Sequence, residues 1–212
     1  MSLSYSGRTD SGVHASGQVV CFNVNNERKF YEIIKGCNRY LPEGVEVLDV
    51  ESCDVSFHPR FNAKSRCYSY VFTPDRIPFY FKNFLVPVRF IPNPDVFMVF
   101  SNLIQGTHDF RYIRKKGSTE TTTVRTILRC ELKADIIKDL YDFEKFIKVY
   151  QVKIEADGFL YRMVRNLLGL YFGLETQKLE LDDIKSLLGN NEKNTKIIPA
   201  PACGLSLLDV MY

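Results

Sequence analysis

Apolar residues recur along this chain at the spacing of an amphipathic helix. In the clearest case Phe30, Ile33 and Ile34 begin a series that continues at Cys37 and Leu41. Two further apolar series show helical spacing, and a fourth, more polar stretch also favours a helix. The predicted helices cover residues 30–41, 96–104, 160–172 and 181–188.

Other stretches alternate apolar and polar residues with the period of two that a half-buried strand shows. Tyr68, Tyr70 and Phe72, for example, share one face of such a stretch. An aromatic face of this kind belongs more often to a protein core than to a ligand platform. Strands are predicted over residues 18–24, 45–50, 67–72, 124–133 and 146–156, and at the end of the chain after the small-residue segment 199–204.

A proline-rich connection interrupts these elements. Residues 74–94 contain five prolines, and such segments are typical of domain boundaries. We therefore expect two subdomains, at residues 1–78 and 79–212. A chain of 212 residues is long enough for each to have its own core.

Positive charge is concentrated in two segments. The formal net charge is only +3, so a nucleic-acid surface would have to arise from local clustering. Residues 58–76 carry four basic side chains against one acidic one, and residues 111–129 carry six against one. The second segment is expected to be an exposed basic loop, which either contacts a polyanion or is simply solvated.

Residues that commonly bind metals or cofactors are scattered. Six cysteines form no Cys-x-x-Cys pair, and the three histidines are far apart in the sequence. We expect no metal site, no disulfide framework and no cofactor. No apolar run approaches the roughly 20 residues that a membrane span needs, so no membrane association is expected and the cytoplasm is the expected compartment.

One loop near the start of the chain surrounds a carboxylate with small residues. Residues Gly7–Ala15 contain a single acidic residue, Asp10, among turn-forming residues and glycines. Thr-Asp-Ser-Gly alone is compatible with an ordinary turn whose aspartate bonds nearby backbone amides. The alternative is a loop that presents Asp10 as a nucleophile or a general base.

A basic residue stands at the margin of a predicted buried face. Arg165 lies between the apolar positions Val164 and Leu168 of its helix. An unpaired guanidinium there would be costly, so we expect a carboxylate partner, and Asp10 is the candidate.

Five regions of the chain resemble, in the same order, the motifs of the tRNA pseudouridine synthase TruA family. The loop at residues 7–15 is similar to the catalytic motif, in which the aspartate is essential. The other similar stretches are residues 57–70, 107–110 with 123–127, 159–169 and 200–205. Family members carry a strand and a helix before the catalytic motif, so the first subdomain is expected to lack both.

The resemblance implies a role for each matched residue. Asp10 would be the catalytic residue and Arg165 its partner. Tyr68 would stack on the target uracil, and Arg8 would help to displace the base. The other residues expected to line the substrate site are His14, Arg66 and Leu205.

The resemblance also implies a fold and a reaction. The expected fold is α+β, with two ferredoxin-like halves of βαββαβ type whose antiparallel sheets join around a central cleft. The expected reaction converts uridine to pseudouridine in the anticodon stem-loop of tRNA, in a homodimer. Because this isomerisation breaks a glycosidic bond and re-attaches the same base through carbon, one carboxylate can suffice.

Two other functions are compatible with the sequence. A non-catalytic or truncated relative would keep the basic surface and bind RNA without turnover. A nucleoside hydrolase would use the same aspartate to break a glycosidic bond and release the free base.

Overall fold

A computed structural model of the chain describes residues 3–24, 28–115, 117, 122–189 and 195–212. The strands are β1 (Leu3–Tyr5), β2 (His14–Ala15), β3 (Val20–Phe22), β4 (Ser65–Thr73), β5 (Val86–Pro87), β6 (Gly106–Asp109), β7 (Val124–Lys138), β8 (Phe146–Ala156) and β9 (Leu205–Met211). The helices are α1 (Phe30–Tyr40), α2 (Pro94–Ile104), α3 (Met163–Glu175) and α4 (Leu181–Leu188), with short 3₁₀ helices at Phe79–Phe81 and Ala202–Gly204. None of the helices in the described ranges is long and apolar enough to cross a membrane.

The described residues divide into two compact units. The smaller comprises the described part of Met1–Ser6 together with Val19–Asn62, and it contains β1, β3 and α1. The larger comprises Gly7–Gln18 and Ala63–Tyr212 and contains the other elements. The division into subdomains after residue 78 stays a prediction.

A seven-stranded sheet is the framework of the larger unit. Its strand order is β2-β9-β4-β8-β7-β6, and β5 pairs with β4 beside this path. Strand β2 runs parallel to β9, and β5 runs parallel to β4, whereas the other neighbours are antiparallel. The sheet is therefore mixed, and not antiparallel throughout as the family resemblance implied.

The aromatic face predicted for β4 lies in the core. Tyr68, Tyr70 and Phe72 are all buried. The rings of Tyr70 and Phe72 contact the ring of Phe172 on α3, with centroids 5.9 and 5.2 Å apart. Helix α3 thus covers this face of the sheet, and α2 packs against both α3 and β7.

A glycine allows α3 to approach the segment before β9 closely. A Cβ atom added to Gly169 would lie 2.0 Å from the carbonyl oxygen of Ile198, so a larger residue would require the backbone to move. The backbone N–H of Ala200 donates to the carbonyl oxygen of Arg165 at 2.9 Å. These contacts fix the first turns of α3 beside residues 198–200.

The strand predicted over residues 45–50 is wrong, because the structure contains no strand there. The backbone N–H of Val47 donates to Oδ1 of Asn38 at 2.7 Å, and Nδ2 of Asn38 donates to the carbonyl oxygen of Val47 at 3.0 Å. An amide side chain of α1 therefore bonds the backbone N–H and C=O of Val47, which a partner strand would otherwise bind.

The other predicted elements are confirmed with shifted ends. The four helices are present, although α3 begins three residues later than its apolar pattern indicated. The strand expected over residues 18–24 is reduced to β3. Strands β1, β2, β5 and β6 were not predicted, because two to four residues are too few to show an alternation. The fold class is α+β, as expected.

Candidate active site

The loop that carries Asp10 is attached to β9. The backbone N–H groups of Ser16 and Gly17 both donate to the carbonyl oxygen of Leu207, at 2.9 and 3.2 Å. A Cβ atom on Gly17 would lie 2.2 Å from the carbonyl oxygen of Leu208. The loop therefore passes β9 at a distance that only glycine permits.

A turn sets the backbone conformation around Asp10. The N–H of Val13 donates to the carbonyl oxygen of Asp10 at 3.1 Å, and Gly12 adopts a left-handed φ of 79°. Nε2 of Gln18 donates to the carbonyl oxygen of Gly7 at 2.8 Å and closes the loop. The turn of the simpler interpretation is thus present, but no backbone amide of the described residues binds the carboxylate of Asp10.

The ion pair expected between Asp10 and Arg165 is confirmed. Nη1 of Arg165 donates to Oδ2 of Asp10 at 2.7 Å. Nε of Arg165 donates to the carbonyl oxygen of Ala200 at 2.8 Å, which fixes the plane of the guanidinium. Only 13% of the Asp10 side chain and 15% of the Arg165 side chain are exposed. Solvent therefore screens this pair less than it screens an ordinary surface ion pair.

A second arginine reaches the same carboxylate oxygen, and sequence reasoning missed it. Nε of Arg162 lies 3.5 Å from Oδ2 of Asp10. Arg162 is the N-cap residue of α3 and precedes Arg165 by three positions. Because Arg162 lies before the first helical residue and has a left-handed backbone, helical spacing does not determine the direction of its side chain, and the signal in the sequence was only a second basic residue close to Arg165.

The two carboxylate oxygens of Asp10 have different surroundings. Oδ2 faces the guanidinium groups of Arg162 and Arg165. Oδ1 accepts no hydrogen bond from any residue that the structure describes. Oδ1 is therefore the candidate atom for a nucleophile or a base.

Tyr68 lies near this carboxylate, although its side chain is largely buried. Its ring meets that of Phe159 edge to face, with centroids 5.1 Å apart. Burial raises the pKa of Tyr68, the charge of Arg66 opposes this shift, and the charge of Asp10 adds to it. The side chain is consequently a neutral, flat phenol at neutral pH.

Two other predicted site residues lie on the central strands. Arg66, on β4, is buried, and its Nη1 donates to the carbonyl oxygen of Asp157 at 3.3 Å. Leu205 begins β9, is buried, and is paired in register with Tyr70 of β4. Both therefore belong to the part of the sheet that carries Tyr68.

Arg8 and His14 are not bonded to Asp10. Arg8 is exposed, and within the described ranges it forms no ion pair with Asp10. Nε2 of His14 lies 2.7 Å from the carbonyl oxygen of Asn83, and the imidazole stacks on Phe84 with centroids 4.8 Å apart. The substrate contacts expected of Arg8 and His14 stay predictions.

Neighbouring acids neutralise part of the basic segment at residues 111–129. Arg111 forms an ion pair with Asp109, and Arg129 lies within 4 Å of two glutamates. Arg125 instead donates to backbone carbonyl oxygens and pairs with no carboxylate of the described residues. Lys116 and residues 118–121 lie outside the described part of the chain.

The described residues contain no cluster of three or more His, Cys, Asp or Glu side chains that could hold a metal ion. The Sγ atoms of Cys21 and Cys53 approach each other to 3.7 Å. A pair of thiols alone does not complete a tetrahedral zinc site.

The chain resembles known proteins along nearly its whole length. The family model described as tRNA pseudouridine synthase matches residues 101–212. Over 213 residues the chain is 29% identical to tRNA pseudouridine synthase A of Thermoanaerobacter sp. (strain X514), which covers 100% of this chain and 83% of that protein.

Two further relatives carry the same name. The protein from Thermotoga sp. (strain RQ2) is 32% identical over 211 residues, covering 97% of this chain and 80% of its own length. The protein from Chlamydia felis (strain Fe/C-56) is 33% identical over 215 residues, covering 99% of this chain and 76% of its own length. The chain therefore belongs to the tRNA pseudouridine synthase A (TruA) family.

Proposed function

We propose that this chain isomerises uridine to pseudouridine in tRNA and that Asp10 carries the reaction. The observation that supports Asp10 most directly is the asymmetry of its carboxylate. Arg165 binds Oδ2, whereas Oδ1 has no hydrogen-bond partner among the described residues. The relatives named tRNA pseudouridine synthase A support the substrate class.

The reaction breaks the bond between N1 of uracil and C1′ of the ribose and forms a bond between C5 and C1′. The proton on C5 is lost and N1 gains a proton, so no co-substrate is consumed. Oδ1 of Asp10 attacks the ribose or the uracil ring, or removes a proton. Arg165 keeps the carboxylate in place while the base rotates, because Ala200 in turn fixes the guanidinium of Arg165.

The target base has to leave its stack before the carboxylate can reach it. Tyr68 supplies a neutral ring near Asp10 on which the uracil stacks, an interaction worth about 1–3 kcal/mol. Phe159 packs perpendicular to that ring. Arg8, which is exposed, helps to displace the base from its stack.

The remaining substrate contacts are also proposals. Arg66 lies on the same strand as Tyr68 and supplies positive charge for a flanking phosphate. Leu205 lines the base pocket from β9, and His14 contacts the RNA beside the Asp10 loop.

The resemblance to the TruA family supports finer proposals. The modified uridines lie in the anticodon stem-loop, and the enzyme acts in the cytoplasm as a homodimer, in which a second subunit enlarges the RNA-binding surface. The fold comprises two ferredoxin-like halves, at residues 1–78 and 79–212, whose sheets join around a central cleft.

Release of tritium from tRNA labelled at C5 of uridine tests the proposed reaction, because bond formation at C5 expels that label. Asp10→Asn removes the charge with little change of shape. Tritium release is expected to fall at least about 1000-fold, since the variant loses the reacting group. The affinity for tRNA, measured by filter binding, is expected to stay within about 2-fold.

Asp142→Asn is the matched control. Asp142 lies between β7 and β8 and forms an ion pair with Lys145 at 2.8 Å, so this variant loses a similar pair outside the site and should keep full activity. Full activity of the Asp10 variant would refute the assignment. With the unaltered chain, label retained on bound tRNA would indicate an RNA-binding relative, and free uracil would indicate a hydrolase.

A further inference from the structure

Arg162 has an unusual backbone conformation at the start of α3. Its φ of 63° and ψ of 7° lie in the left-handed region, which is strained for a residue with a long side chain. Among the described non-glycine residues only Gln177 shares a positive φ, of 55°. Such strain persists where the surrounding structure enforces it, and it is concentrated at functional sites.

With this backbone, the side chain of Arg162 is directed at Asp10. Nε lies 3.5 Å from Oδ2, is buried, and has no hydrogen-bond partner among the described residues. A buried N–H group without an acceptor is unfavourable. A small movement toward Oδ2 would satisfy it with a charge-assisted hydrogen bond.

Stacking on Tyr161 does not account for this arrangement. The guanidinium of Arg162 lies 5.6 Å from the centre of that ring, and Tyr161 is exposed. Adjacent residues can form such a contact with ordinary backbone angles. The stacking therefore explains neither the left-handed conformation nor the burial of Nε.

We propose that Arg162 is a positioning residue for Asp10. Together with Arg165 it restrains Oδ2, so that Oδ1 keeps one orientation toward the ribose and the uracil. Two cations around one oxygen also limit rotation of the carboxylate while the base is detached. This role rests on the proposed function, since only a reacting Asp10 needs to be held in this way.

The test compares the kinetics of tritium release and the thermal stability of Arg162→Gly with those of the unaltered chain. The variant removes both the guanidinium and the backbone strain. We expect kcat to fall about 10- to 100-fold and KM for tRNA to change less than about 2-fold, as for a hydrogen bond to a charged group that acts on the chemical step. The thermal midpoint should not fall.

Two kinds of rescue separate positioning from a structural role. Millimolar guanidinium ion is expected to restore part of kcat to Arg162→Gly, because the cation can enter the vacated space. Arg162→Lys is expected to keep an intermediate kcat, since the ammonium supplies the charge without the planar guanidinium.

Gln177→Gly is the matched control. It relieves the same backbone strain just after the other end of α3, and it should leave kcat and KM unchanged.

Either of two results would overturn the positioning role and leave the proposed function intact. One is a kcat of Arg162→Gly within about 2-fold of the unaltered chain. The other is a loss confined to KM or to the thermal midpoint. Absence of tritium release from the unaltered chain would overturn both proposals. If Arg162→Gly does not fold, Arg162→Asn, which tolerates the left-handed region, is judged by the same criteria.

Discussion

Tyr70 links the core of the sheet to the segment that holds Arg165. Its hydroxyl donates to the carbonyl oxygen of Pro201 at 3.0 Å, next to Ala200, which accepts from Arg165. Burial raises the pKa of Tyr70, and the charge of Arg165 partly opposes the shift. Burial likewise raises the pKa of Tyr171 on α3.

Tyr70→Phe is expected to lower the free energy of unfolding at neutral pH and to make that free energy depend less on pH in the alkaline range. The lost hydrogen bond costs about 1 kcal/mol. The folded-state pKa of Tyr70 lies above the ordinary value near 10, so the unfolded chain loses this proton first as pH rises. The stabilisation from neutral Tyr70 is therefore complete below about pH 10 and declines above it. Urea midpoints at neutral pH and near pH 11 measure both effects.

Tyr40→Phe is the control for this variant, because Tyr40 is largely exposed and should show neither effect. An equal alkaline loss of stability in Tyr70→Phe and the unaltered chain would contradict the prediction.

The sequence predicted one arginine of the site and missed the other. The apolar neighbours of Arg165 indicate its side of the helix, and burial there requires a carboxylate partner, for which Asp10 was the candidate. Arg162 lies before the first helical residue. Its direction depends on a positive φ that no pattern of side chains encodes.

Among the elements, α3 connects the site to the core. Its apolar face packs against β4 through Phe172. Arg162 and Arg165 lie at its N-terminal end. Gly169 lies between these arginines and Phe172, at the point where the backbone of Ile198 comes close to the helix. Displacement of that backbone would disturb the acceptor of Arg165 at Ala200.

Gly169→Ala and Gly36→Ala are expected to have opposite effects, although both place alanine within a helix. The new methyl group at Gly169 would meet the carbonyl oxygen of Ile198, and the overpacking should cost about 3 kcal/mol. At Gly36 of α1 the added Cβ would have no described atom within 4 Å apart from the adjacent residues and the backbone of its own helix, so helix propensity should stabilise by about 0.5–1 kcal/mol. Urea denaturation followed by circular dichroism gives both values.

A second measurement follows from the position of Gly169. Its alanine variant should also lose tritium-release activity, since Ala200 holds Arg165. A Gly169→Ala protein that is as stable and active as the unaltered chain would show that the contact with Ile198 is not close in solution.

Long elements were predictable from the sequence and short ones were not. Helices of eight to thirteen residues repeat their apolar positions often enough to identify the buried face. The alternation at residues 45–50 was misleading, because the side chain of Asn38 forms hydrogen bonds with the backbone N–H and C=O of Val47. Strand β2, which attaches the Asp10 loop to the sheet, has only two residues and is recognisable only through its partner β9.

Across the whole molecule, the distribution of charge matters more for RNA binding than the net charge. Arg111 donates to Asp109 through Nε at 2.8 Å, so its charge is already paired with a carboxylate. Arg125 bonds only backbone carbonyl oxygens among the described residues. Its charge therefore remains available to a phosphate.

Arg125→Gln is expected to weaken tRNA binding more than Arg111→Gln. Each change lowers the net charge by one, so the difference between them reports a phosphate contact. Loss of that contact should reduce the slope of log affinity against log salt concentration by about 1. Filter binding over a series of salt concentrations measures the slope, and equal slopes for the two variants would exclude Arg125 as a phosphate ligand.

The pairing of β2 with β9 has a consequence for how the enzyme is made. Ser16 and Leu207, which are hydrogen-bonded, lie 191 positions apart in the chain. During synthesis on the ribosome, the Asp10 loop has no partner strand until the chain as far as Leu207 has emerged. Contacts of such long sequence separation also form slowly. A polypeptide that has not yet been extended to β9 thus lacks the strand that holds the Asp10 loop, so the proposed activity requires that β9 has been synthesised.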